Sequence, residues 1–168
     1  METKQISVLL TRLDGRFSDF IYLCTGRRYT HASIRLDEMG DYYCSFNYRG
    51  LCTEKPKFFA RRNIRRSVLF QVEVPAAVHD ELKEYLETCL ADSSRYRYSK
   101  LGVFLCVMRI PHRFQDTFFC SQFVAELLMK ANLIEWKRST SVCTPNHLET
   151  ALRRCASLRS IISNPILA

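Results

Sequence analysis

The first half of the chain carries four short stretches with the character of strands. Ile6-Ser7-Val8-Leu9-Leu10 is aliphatic and β-branched and reads as the first. In Thr30 to Leu36, Ala32, Ile34 and Leu36 alternate with His31, Ser33 and Arg35, the period of two expected of a strand. Asp37-Glu38-Met39-Gly40-Asp41 reads as a turn, and Tyr42 to Asn47 as the returning strand of a hairpin. Val68, Phe70, Val72 and Val74 alternate in a fourth strand, which Pro75 closes. Between the first two strands, Asp14-Gly15 marks a turn. Ser18 is placed to cap a short helix from Asp19 to Cys24, ended by Gly26. Residues 49–64, with Pro56 and several basic side chains, read as irregular.

The pattern then changes to helical spacing. Leu82, Leu86, Cys89 and Leu90 recur on one face between about Ala76 and Leu90. Ser99 to Val107 predicts a short apolar helix or buried segment. Cys120 to Ala131 predicts a buried helix, with Phe123, Val124, Leu127 and Leu128 on one broad face. Thr144-Pro145 is an N-cap followed by proline at the first helical position, opening a helix to about Arg154. Leu158 to Ile162 reads as a last strand. Strands first and helices after define an α+β class, with an antiparallel sheet packed against helices in one domain, 1–168.

Composition narrows the function classes. At 168 residues, 47% apolar and 25% charged, the chain can bury a sizeable core without disulfides or metal. Disorder, collagen-like repeats and a disulfide miniprotein are excluded. Eight cysteines suggest zinc, but no two lie two to four residues apart, and the four histidines complete no finger pattern. No metal or organic cofactor is expected. The start, METKQISVLL, lacks the features of a secretion signal, so a reducing cytoplasm is the expected compartment and free thiols the expected state. The longest apolar run, Leu101 to Met108, is far short of the ~20 residues that span a bilayer. The net charge of +8 gathers in arginine clusters at Arg27–Arg28, Arg61–Arg62, Arg65–Arg66 and Arg153–Arg154. Such clusters form a solvated basic face, or attract an anionic substrate or membrane surface. No nucleic-acid motif accompanies them.

One segment carries chemistry. In Phe118-Phe119-Cys120-Ser121-Gln122-Phe123-Val124 the cysteine stands where an apolar segment turns into a helix. Unpaired N–H groups and the helix dipole at such a place stabilise a thiolate and can donate to a developing oxyanion. A thiol nucleophile needs a base, and His31, heading the second strand, is the candidate. A third polar group would orient the imidazole, and the neighbouring strand offers Tyr43, Ser45 or Asn47. By spacing alone, Cys120 equally fits a core thiol and His31 a hydrogen-bonded sheet histidine.

Tyr29-Thr30-His31-Ala32-Ser33-Ile34-Arg35-Leu36-Asp37 and Phe119-Cys120-Ser121-Gln122-Phe123-Val124-Ala125-Glu126 resemble segments of the circularly permuted NlpC-type papain-like hydrolases. That family takes in YiiX/YaeF-like and lecithin:retinol acyltransferase-like proteins, in which the histidine strand precedes the cysteine helix. Leu10-Thr11-Arg12, Tyr43 to Phe46, Tyr96 to Gly102 and Thr144-Pro145-Asn146 extend the resemblance over most of residues 5 to 150. It implies a permuted papain-like fold, with Cys120 as nucleophile at a helix N-terminus and His31 as base and then acid. The third residue of the family matches Ser45, with Asn47 as the alternative. Serine departs from the glutamate, histidine, glutamine or asparagine common there. Tyr98, or alternatively Tyr96, matches a tyrosine that supports the oxyanion hole. The implied reaction is cleavage of an amide or ester in a small molecule, peptide or lipid through a thioester. Alternatives are a lipid-directed acyltransferase or thioesterase of the same fold, sitting near an anionic membrane, and a binding module that keeps the cleft without catalysis. Nucleic acid ranks last among the partners.

Overall fold

The computed structural model of the chain describes residues 2–25 and 28–165, without the side chains of Phe17, Cys24 and Thr25. Its frame is a six-stranded sheet in the order β4-β3-β2-β1-β5-β8, with every neighbouring pair antiparallel. The strands are β1 (Thr3–Arg12), β2 (His31–Leu36), β3 (Tyr43–Asn47), β4 (Gly50–Glu54), β5 (Arg66–Pro75) and β8 (Leu158–Ser163). The helices are α1 (Arg16–Thr25), α2 (Pro56–Arg61), α3 (Ala76–Ala91), α4 (Lys100–Val107), α5 (Cys120–Lys130) and α6 (Pro145–Leu152). A separate two-stranded parallel ladder joins β6 (Arg97–Tyr98) to β7 (Thr117–Phe118). The mixed α and β content and the antiparallel main sheet agree with the α+β class.

The sheet is covered on both faces, because its strands carry apolar residues at both parities. On β1, Ile6, Val8 and Leu10 enter the main core with Phe123, Val124, Leu127 and Leu128 of α5 and Leu82 and Leu86 of α3. Leu9, of the opposite parity, joins Tyr43, Phe59 and Leu69 in a second cluster. Helix α2 supplies Phe59 and so covers the face that His31 and Ser33 share. That face was expected to be polar, yet Ser33 is fully buried and His31 is only 7% exposed.

Residues 49–64 are not irregular. They contain β4, which pairs with β3 at Asn47↔Gly50, Ser45↔Cys52 and Tyr43↔Glu54, and they contain α2. The strand is five residues long with no clean alternation of apolar and polar positions, so periodicity does not reveal it. Pro56 starts the helix, since its missing N–H is one that a first turn leaves unpaired anyway. Gly50 takes φ +99° with its Cα against the backbone of Tyr96, where a Cβ would stand 2.5 Å from the Tyr96 carbonyl oxygen. This close approach seats β4 against the segment that leads to β6.

Ser18 does not cap α1. The helix starts at Arg16, and Ser18 Oγ donates to the Leu13 carbonyl at 2.6 Å and meets Thr30 Oγ1 at 2.6 Å. The expected stop at Gly26 lies outside the described residues. Thr144 does cap α6, in a reciprocal box with His147.

Candidate active site

Cys120 is the first residue of α5. Phe119 before it is extended (φ −120°, ψ 166°) and is anchored among Val103 and Cys106. Ser121, next along the helix, donates from Oγ to the Cys143 carbonyl at 2.7 Å. The thiol is thus held from both sides at a helix start, where the leading N–H groups lack intrahelical acceptors. It is 7% exposed.

His31 opens β2, where Thr11 pairs with it at the end of β1. Cys120 lines the same cleft as the imidazole and lies close enough to help raise its pKa. On its other side, His31 Nε2 lies 2.9 Å and 3.0 Å from the two carboxylate oxygens of Glu54. With Nε2 held by the carboxylate, Nδ1 is the ring nitrogen left for the thiol. Glu54 ends β4, so it reaches over the intervening strand β3 to find the histidine. It is 1% exposed, and a carboxylate so deep in a protein is tolerable only with a charged or donating partner. Burial by itself lowers the His31 pKa. The Glu54 charge, the nearby Cys120 thiol and the hydrogen bond with Glu54 outweigh it, and raise the value from 6.5 to about 10. The imidazole therefore carries its proton throughout the neutral range.

These groups form the floor of a cleft of about 430 Å³, lined by Cys120, His31, Tyr98, Phe46, Leu13 and Ile21 among others. Arg16, Arg62 and Lys100 stand at its lip, and none forms an ion pair among the described residues. Asp14, the carboxylate among them, is held by Arg65 at 2.5 Å and by Asn63 at 2.7 Å. The cleft thus joins a largely apolar wall to a positive rim.

Of the two tyrosines, only Tyr98 enters the cleft. The β6–β7 ladder pairs it with Phe118, two residues before the cysteine. Burial first, and the proximity of Cys120 second, push its phenol up, so it keeps its proton and can donate. Tyr96 instead accepts a hydrogen bond from Cys89 at 3.6 Å, away from the cleft lining.

The strand residues expected to orient His31 are placed differently from one another. Ser45 Oγ lies 3.4 Å from His31 Nε2, yet its proton goes to the Ala32 carbonyl at 2.6 Å. Asn47 lines the cleft, but its Oδ1 accepts the Arg49 N–H at 2.8 Å. Tyr43 packs edge-on against Phe59 in the second cluster. Glu54, the closest partner of the imidazole, was not among the residues that the sequence suggested. One signal was present: Glu54 is the only acidic residue between Asp41 and Glu73.

The other histidines have local structural partners. His79 is buried in α3 beside Asp80, His112 packs edge-on against Phe114, and His147 completes the α6 cap and packs on Trp136. Among the described residues no group of three histidine, cysteine or carboxylate side chains is placed to hold a metal ion. Among the described residues no helix is long and apolar enough to cross a membrane. No family model matches the chain, and no curated protein does.

Proposed function

We propose that the chain is a cysteine hydrolase of the permuted papain-like type, which cleaves an amide or ester through a thioester on Cys120. One observation carries the reading: Cys120, at a helix start, and His31 line one open cleft side by side, and a buried carboxylate stands behind the imidazole. A core thiol and a sheet histidine that merely packed would need neither the cleft nor the buried charge.

His31 stands as imidazolium, its proton retained beside Glu54, and the Cys120 sulfur reacts as the thiolate paired with it. The sulfur attacks the carbonyl carbon, and the carbonyl electrons move to oxygen. The Cys120 N–H and the Tyr98 hydroxyl donate to that oxyanion. As the tetrahedral adduct collapses, the bond to the leaving amine or alcohol breaks and His31 protonates it. The neutral imidazole next removes a proton from water, whose oxygen attacks the thioester; the acid departs and Cys120 is regenerated. Glu54 has the positioning role, fixing the ring and favouring its charged form. If an amine or alcohol replaces water in the second step, the same groups transfer the acyl chain.

The test is capture of the acyl-enzyme. The protein is offered a panel of activated esters and amides and analysed by intact mass and peptide mapping. The acyl group is expected on the peptide that contains Cys120, and Cys120→Ala should neither form it nor turn over. Undiminished hydrolysis by a folded Cys120→Ala protein overturns the proposal.

A further inference from the structure

Helix α4 is apolar on two sides. Val103 and Cys106 pack inward against Phe119, with Gly102 buried beside them. On the outside, Leu101, Phe104 and Met108 follow one another at helical spacing and are 56%, 50% and 56% exposed. Ile110 continues this surface. Helix α1 lies against α4 and adds exposed Phe20 and Leu23. Six of the ten large exposed apolar side chains among the described residues therefore belong to α1, α4 and the residues just after α4. A helix that is apolar all round is ordinarily buried, so the outer face of α4 calls for cover.

The charge around this surface is mostly positive. No acidic residue occurs between Asp92 and Asp116, while Arg95, Arg97, Lys100, Arg109 and Arg113 all fall there. Arg95 pairs with Asp116 and Arg113 with Glu126, each at 3.0 Å. Arg97, Lys100 and Arg109 are exposed and form no ion pair among the described residues. Arg16 heads α1 in the same condition, and Asp19 is the one carboxylate on the two helices.

We propose that the α1–α4 face docks on an anionic lipid surface. Phe104, Met108, Leu101 and Ile110 enter the boundary of the acyl region, while Lys100, Arg109 and Arg97 lie among the headgroups. A bilayer offers apolar chains beneath a sheet of negative charge, which is the complement of apolar residues ringed by cations. A second copy of the chain is a poorer cover, because a two-fold contact would bring like cations face to face. Ile21 of α1 and Lys100 of α4 also border the cleft, so docking turns the Cys120 cleft toward the lipid. The docking does not depend on the chemistry proposed for Cys120.

The experiment is co-sedimentation with vesicles of phosphatidylcholine alone or with phosphatidylglycerol, at low and high salt. The protein is expected to bind the anionic vesicles and to be released by salt. Phe104→Glu/Met108→Glu and, separately, Arg97→Glu/Arg109→Glu should each bind at least about tenfold more weakly. Both pairs are exposed and outside the cleft. An unchanged alkylation rate at Cys120 in each variant therefore reports an intact site. Cys120→Ala should bind as the native chain does, so loss of hydrolysis and loss of docking are read separately. Equal binding by the native chain and the Phe104→Glu/Met108→Glu variant overturns the proposal. So does a native chain that self-associates without vesicles and becomes monomeric in that variant.

Discussion

Replacing Glu54 by glutamine removes one charge and almost no volume. The carboxylate oxygens stand 2.9 Å and 3.0 Å from His31 Nε2, with the imidazole 9% and the carboxylate 1% exposed, so solvent screens the pair little. At that separation and an effective dielectric constant near 20, the attraction is about 5 kcal/mol, or about four pKa units. Burial opposes the charged form and remains in the variant. The His31 pKa, about 10 in the native chain, should therefore fall to about 6 or lower. The assay is a pH titration of the imidazole by NMR, followed together with the alkylation rate of Cys120. The raised pKa also has a consequence for folding. Between 6.5 and about 10 the folded chain holds a proton that the unfolded chain has released. The stability contributed by His31 is thus complete below pH 6.5 and is lost as pH rises through about 10. Between pH 6.5 and about 8, below the range in which unfolded thiols ionise, urea midpoints should fall in the native chain and stay level in Glu54→Gln. A His31 in Glu54→Gln that still titrates above about 9 would refute the reasoning, because the charge assigned to Glu54 would then come from elsewhere.

Three further outcomes follow from the same geometry. Cys120→Ala should change stability by about 1 kcal/mol or less while abolishing turnover, whereas His31→Ala strands the buried Glu54 charge and should cost about 3–5 kcal/mol in urea unfolding. Tyr98→Phe removes one donor to the oxyanion, so kcat should drop about 100-fold with KM nearly unchanged in steady-state assays. Iodoacetamide near neutral pH should modify Cys120 well ahead of Cys44 and Cys52, which burial pushes up to about 12, and of Cys143, which it also pushes up; equal labelling by peptide mapping would contradict this.

The placement of Glu54 shows how the chemistry and the fold were legible to different degrees. Local rules reach the start of α5, because the turn from an apolar run into a helical period is visible within a few residues. They likewise reach the Thr144-Pro145 cap and the alternation in β2 and β5. Local rules do not reach β4. Its five residues owe their conformation to the ladder with β3 and to the close seat of Gly50 on Tyr96, which are long-range facts. They also miss α2 as a cover for the His31 face, so a strand that alternates in sequence is buried on both sides.

By itself, then, the sequence determined the kinds of group available: a thiol at a helix start, a histidine at a strand head, an α+β order of elements and a basic surface. Periodicity, capping and composition are properties of neighbouring residues, and neighbouring residues suffice to read them. Only the tertiary structure decided which groups meet. His31 and Glu54 lie 23 positions apart, and their contact depends on sheet order and on a burial deep enough to force charge onto charge. No spacing encodes that. The same holds for α4, whose apolar residues look like core until packing commits one side to Phe119 and leaves the other exposed.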